Sequence, residues 1–241
     1  MKKLLFSLLI LFITTSAVTV SAQVLEEGYI KMEITEATSD DPQVAMGLEM
    51  MKGSQTEIFF KDGKNLSKMN MMGGMVDMST LYDSEGGKID MLFNMMGQKM
   101  HIESTTEEME AANKEQAEAA KDIKVEFDEA DVKNILGYKC VKATITSPDL
   151  TQGMSMTLYV ARDIQASSKL LQGLQNYDLG GFPLEFSMNN AQVKMTFSAV
   201  DLKKEVDGGV FALETGGYEK LTFAEFQERM AAFGGGGGFG F

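Results

Sequence analysis

The sequence predicts a mainly β domain, an antiparallel sheet of about ten strands with one or two helices laid against it. Apolar residues alternate with polar ones along most of the chain, the period of a half-buried strand. Short Gly-containing turns divide those alternating runs. With 44% hydrophobic residues over 241 positions, the chain also has enough apolar surface for one real core.

Taken in order, the first element is a segment apart. Lys2 and Lys3 precede an apolar stretch from Leu4 to Ile13, which grades through Thr14–Thr19 into Ser21-Ala22-Gln23. This is the pattern of a secretory signal peptide cleaved after Ala22, because its apolar part is short of the roughly 20 residues a membrane helix needs. The expected organisation is signal peptide 1–22, one curved-sheet domain 23–233 and a Gly/Phe tail 234–241. The product is expected in the periplasm or outside the cell.

Strands are expected at 29–34, 56–60, 65–71, 76–82, 88–94, 99–103, 124–127, 138–146, 154–161, 184–188 and 192–202. Asp62-Gly63 supplies the positive φ of a tight hairpin, and Gly97-Gln98 turns the chain again. So many antiparallel strands in one domain must curl or close. Thr105 and Glu108 form a Thr-x-x-Glu capping box ahead of a run rich in Ala, Glu, Gln and Lys, so a surface helix is expected from about 106 to 121. A second capping box, Thr222 with Glu225, opens a helix carrying Phe223, Phe226, Met230 and Phe233 on one stripe before Gly234 stops it. That stripe needs something apolar to cover. The five glycines from Gly234 to Gly238, followed by Phe239-Gly240-Phe241, are expected to be flexible.

Charge excludes several functions. The formal charge is −13, from 22 basic and 35 acidic side chains, and removing Lys2 and Lys3 with the signal makes the remainder more acidic still. No basic cluster exists to neutralise phosphates or to bind an anionic membrane surface, so no nucleic-acid partner is expected. Once the signal is removed, no integral membrane segment is expected either.

Catalytic parts are few. His101 is the sole histidine and Cys140 the sole cysteine, which rules out an internal disulfide and leaves one thiol–imidazole pairing at most. Cys140 lies in an expected strand, where a small buried hydrophobe is the ordinary finding. No Gly-x-Ser-x-Gly elbow and no phosphate loop of the Gly-x-x-x-x-Gly-Lys-Ser/Thr form is present. With one His and one Cys a structural zinc site cannot be built. The acid pairs Asp40-Asp41 and Glu107-Glu108 have no calcium-loop spacing and read as solvated surface. No catalytic residue, metal site or cofactor is assigned, and the chain is not expected to be an enzyme.

Methionine is the departure from ordinary composition: 20 in all, twelve of them between Met46 and Met100. Thioethers are flexible, polarisable fillers that suit a core or a surface receiving apolar ligands of variable shape. They are also soft ligands, and Met71, Met72, Met75 and Met78 form a set that would hold Cu(I).

At Ile135-Leu136-Gly137-Tyr138-Lys139-Cys140-Val141-Lys142-Ala143 the chain resembles a family of secreted bacterial proteins, common in Bacteroidetes, that carry an uncharacterised domain. The signal ending Ser21-Ala22-Gln23, the hairpin from Ile58 to Gly63, Met156-Thr157-Leu158-Tyr159 and Gly180-Gly181-Phe182-Pro183-Leu184-Glu185 resemble that family's recurring stretches, in order, over most of residues 28–220. The family is similar in shape to the periplasmic lipoprotein carriers of the Lol system, in which a strongly curved antiparallel sheet forms an unclosed barrel around covering helices and holds acyl chains. No lipoprotein-binding or receptor-docking residue of those carriers matches this chain. The resemblance implies an apolar concave face; composition offers Met71, Met75, Met78, Met91, Tyr138, Phe223 and Phe226 as its candidate lining, with the 222–233 helix as a lid. Lys142, if it points inward beside Tyr138 and Cys140, would meet an acidic head group. The expected function is an exported binding or carrier module for an apolar or lipid-like ligand. The alternatives are a methionine-rich copper protein and an envelope interaction protein without a small ligand.

Overall fold

The computed structural model describes residues 24–112, 124–146, 155–168, 171, 174, 177–189 and 192–232. The signal peptide, the tail, Phe233 and positions 113–121 of the expected surface helix lie outside them.

Twelve strands form one sheet. In chain order they are β1 (Gly28–Ser39), β2 (Gln55–Lys61), β3 (Lys64–Met71), β4 (Val76–Asp83), β5 (Lys88–Met95), β6 (Gln98–Thr105), β7 (Lys124–Ile135), β8 (Tyr138–Thr146), β9 (Ser155–Ala161), β10 (Phe182–Asn189), β11 (Val193–Lys203) and β12 (Glu219–Thr222). Their spatial order is β12-β6-β5-β4-β3-β2-β1-β11-β10-β9-β8-β7, and the two edge strands do not pair with each other, so the sheet is curved and unclosed. Register shifts in β1, β7 and β10 bend the strands. Pro183, which cannot donate to a ladder, sits at the β10 shift inside the sheet.

Turn chemistry sets the register of the hairpins. Asp62-Gly63, Met96-Gly97 and Leu136-Gly137 each have positive φ at both positions, the signature of a type I′ hairpin turn. The Leu-Gly at 136–137 thus serves as the β7–β8 turn. Gly28 is glycine for another reason: a Cβ there would stand 2.6 Å from the Lys203 carbonyl oxygen on the neighbouring strand.

Two elements depart from the sequence reading. Pro42–Met51 is a helix, α1, where none is expected. Asp41 caps it by accepting from the Gln43 and Val44 amides, and Pro42 occupies the first turn. Asp41 is therefore a cap and not only a solvated acid. The sheet is also mixed rather than purely antiparallel, because β12 joins β6 in parallel. The chain leaves β11 in mid-sheet and must cross to the far edge. It does so through residues 204–218, whose 3₁₀ turn Gly208–Phe211 packs on β3 and accompanies the complete burial of Leu66.

The capping boxes form as expected. Thr105 and Glu108 exchange hydrogen bonds at the start of α2 (Thr106–Ala112), and Thr222 and Glu225 do the same at the start of α3 (Phe223–Ala232). No helix among the described residues is long and apolar enough to cross a membrane.

Candidate functional site

Strand alternation gives the sheet one continuous inner face, and a single cross-strand row samples it: Ile58, Ser67, Thr80, Met91, Ile102 and Leu221 stand side by side from β2 to β12. The ends of the row are apolar and its centre is polar. Among the described residues two large cores result, one on each side of β3, and a smaller cluster of Ala37, Leu48 and Met195 seats α1.

The first core lies over β1, β2 and β8 to β11. Its floor includes Ile30, Ile58, Ile145, Leu158, Leu184 and Phe186. Its cover is the β9–β10 connection, which contributes Ile164, Ala166, Leu171, Leu174 and Leu179, all nearly or fully buried. Both ends of that cover are held in neighbouring strands. Gly181 makes the return possible, since a Cβ there would meet the Ala161 carbonyl oxygen at 2.5 Å.

The second core lies over β4, β5, β6 and β12. Val76, Ile89, Met91, Phe93, Met100 and Ile102 make the floor, and Phe223, Phe226 and Met230 of α3 descend onto it. Phe226 is 2% exposed and meets Phe93 edge-on at 5.6 Å between ring centres. Met71, Met78, Met95 and Met109 pack around the rim. Seven of the fifteen described members are methionine, against three of thirty in the first core.

The attachment of α3 is slender and ionic. Beside its cap, both terminal guanidinium nitrogens of Arg229 donate to Glu219, at 2.6 and 3.0 Å, tying the helix back to β12. Lys220 of β12 pairs with Glu103 of β6 at 2.6 Å. These partners hold the carboxyls of Glu219, Glu225 and Glu103 below the ordinary range: the Arg229 guanidinium for Glu219, the Thr222 amide and hydroxyl for Glu225, and the Lys220 ammonium for Glu103.

Between the cores runs the polar strip. Asn65 accepts from the Ser167 amide at 2.9 Å, so the first cover reaches the dividing line. Ser67 is 3% exposed, and its hydroxyl has no hydrogen-bond partner.

The structure brings five of the seven candidate residues into the second core. Met91, Phe223 and Phe226 are buried there, and Met71 and Met78 are half-buried against them. Met75 stands apart in the β3–β4 connection, 45% exposed, with Met72 nearby in the same connection and 40% exposed. Tyr138 packs against the first core instead. Met95, Met100 and Met109 also belong to the second core, and for Met95 and Met100 the strand alternation already carried that signal. Lys142 departs from the inward orientation considered above. It lies across from Tyr159, on the face opposite Ala143 and Ile145, and pairs with Asp131 at 2.8 Å. The sole thiol and sole imidazole have different partners: Cys140 is fully buried and its pKa is pushed up to about 11 chiefly by that burial, while His101 bonds Asp90 at 3.2 Å, with eight strands between them along the sheet.

No protein-family model matches the chain, and no curated protein matches it. Among solved structures it is similar to a chain of the Pseudomonas aeruginosa MucA/MucB complex, with 11% identity and a TM-score of 0.32 over 79% of this chain and 57% of that one. This chain thus spans little more than half the length of that relative. It is similar to an outer membrane lipoprotein-sorting protein domain from Vibrio parahaemolyticus, with 8% identity and a TM-score of 0.31 over 78% and 89% of the two chains. It is also similar to a DUF1329 family protein from Desulfovibrio piger, with 9% identity and a TM-score of 0.32 over 82% and 91%. At these values the likenesses assign no activity.

Proposed function

We propose that the chain is an exported module that binds an apolar, acyl-like ligand on the inner face of its sheet, between the second core and α3, and that it acts by binding rather than by catalysis. The observation that carries this reading is the make-up of the second core: a floor and rim rich in methionine beneath a ten-residue helix joined to the sheet through the four-residue β12. Methionine has three rotatable bonds and no branched carbon, so a methionine-rich core repacks around an inserted chain at small cost. A ligand that lifts α3 exchanges helix contacts for its own apolar contacts, so the face stays covered in both states. Export is supported by the signal-like pattern of the first 22 residues. Binding rather than chemistry is supported by a thiol kept protonated in the core.

Native mass spectrometry of the chain from Gln23 onward, purified from the periplasm of cells with intact lipids, tests the reading. Adducts differing by methylene increments are expected, and they should be lost when β12 and α3 are removed together by truncation after Tyr218. A bare polypeptide mass would overturn the reading in favour of a module that binds a protein. A copper-mass adduct removed by a Cu(I) chelator would move the ligand to the thioethers of Met71, Met72, Met75 and Met78.

A further inference from the structure

On the opposite face of β5 and β6, away from the methionine core, a hairpin register assembles three metal-ligating side chains. The turn at Met96-Gly97 has φ of 53° and 89°, which fixes the two strands so that Asp90 stands across from Glu103 and Leu92 across from His101. His101 and Glu103 are two residues apart on one strand and so share a face, with Asp90 diagonal to the imidazole. One ligand atom from each residue lies within 4.8 Å of the other two, and Asp90 Oδ1 is 3.2 Å from His101 Nε2. The His101 side chain is 11% exposed and set in place, whereas both carboxylates reach solvent, so an ion has a path in.

We propose that Asp90, His101 and Glu103 form a binding site for a divalent transition-metal ion of the zinc class, with the remaining coordination positions open to water. One imidazole and two carboxylates suit such an ion, and three protein ligands leave the fourth position of a tetrahedron free. A structural zinc site needs four protein ligands; this one needs three. At metal–ligand lengths of about 2.1 Å, tetrahedral ligand atoms stand ~3.4 Å apart, so the set must close by roughly 1 Å, within the reach of carboxylate rotation. The backbone beneath need not move, because β5 and β6 are paired along their whole lengths.

Lys220 sets the limit on affinity. It stands on β12 directly beside His101, and its ammonium already rests 2.6 Å from Glu103 as a monovalent cation at the rim of the site. Its side chain is 66% exposed on an edge strand, free to swing away. A divalent ion competes with it for Glu103, so removing the lysine charge should strengthen metal binding.

Calorimetric titration of the chelator-stripped chain with zinc chloride at neutral pH tests the proposal. One equivalent should bind. His101→Gln and Glu103→Gln should each weaken binding by at least about tenfold, the loss seen even for outer-shell partners. Lys220→Ala should strengthen it, and Met71→Leu with Met78→Leu should leave it unchanged. Zinc should raise the melting temperature of the parent chain but not of His101→Gln, and circular dichroism of each variant separates lost ligation from lost folding; Glu103→Gln, at an exposed position, should keep the sheet folded. No saturable one-to-one binding, unchanged affinity in His101→Gln, or weaker binding in Lys220→Ala would each overturn the proposal.

Discussion

The two cores of this sheet share one inner face and differ in what covers them. Over the first, the cover is the β9–β10 connection, anchored at both ends and packed with aliphatic side chains that reach complete burial. Over the second, the cover is α3, anchored through a short parallel edge strand and set on methionine. A cover anchored at both ends and packed with aliphatic side chains belongs to the cooperative unit of the fold, whereas a ten-residue helix entered from a four-residue edge strand is too short to be stable apart from its packing. The comparison separates the part that keeps the molecule folded from the part that is able to open.

The largest effect expected is in the first core. Leu158 is fully buried on the interior strand β9, and Leu158→Ala should cost about 2–5 kcal/mol of global stability, read as a lower denaturant midpoint with an unchanged slope. Phe226→Ala removes a comparable volume from the second core but should behave differently. Phe226 is one of three buried α3 side chains that seat the helix, so losing about 3–5 kcal/mol of packing there should let the helix detach while the rest of the sheet stays folded. The expected readout is increased binding of an apolar dye and fast amide exchange confined to 219–232, with a smaller midpoint shift than Leu158→Ala. Equal global losses in the two variants would merge the cores into one unit and break the comparison.

Smaller changes sharpen it. Thr222→Ala deletes half of the α3 capping box and should cost about 1 kcal/mol, seen as faster exchange in α3 alone. Acid should act on the same element. The carboxyls of Glu219, Glu225 and Glu103 are lowered from their ordinary value of 4.5 by partners that favour the charged form. The stability they contribute is therefore fully present above pH 4.5 and is lost as the pH falls below it toward the folded-state values. Exchange of 219–232 should rise on acidification below pH 4.5 before β8 and β9 lose protection; simultaneous loss would count against a separately held α3. The least disturbing probe is Cys140. Its thiol is fully buried with its pKa pushed up to about 11, so iodoacetamide at pH 8 should leave it unmodified in the native protein and label it on unfolding.

Much of the sheet was legible because its signals are local. Alternation placed eleven strands, Asp62-Gly63 and Gly97 marked turns, and both capping boxes located helix starts to the residue. The elements that were not legible are those whose pattern is short or whose cause is remote. Strand β12 is four residues long and exists because β6 offers it an open edge, and α1 rests on Leu48 meeting Ala37 and Met195 from two distant strands. Asp41-Pro42 nevertheless carried the cap and first-turn signal of α1. In the candidate site, Phe223 and Phe226 were readable from helical spacing, and Met91 from strand alternation. Met75 and Tyr138 share the chemistry of the site but not its place, since a connection exposes one and the other core takes the second.

The amino-acid sequence by itself determined the alternating strands, the turns that set hairpin register, the helix caps and the scarcity of catalytic groups, because each depends on residues close together in the chain. The tertiary structure alone decided that one inner face would be split into two cores by the strip at Asn65 and Ser67, that α3 would lie on the methionine half, and that Lys220 would reach Glu103. Those outcomes turn on which strands become neighbours, and that follows from the long crossing through residues 204–218 rather than from any local period.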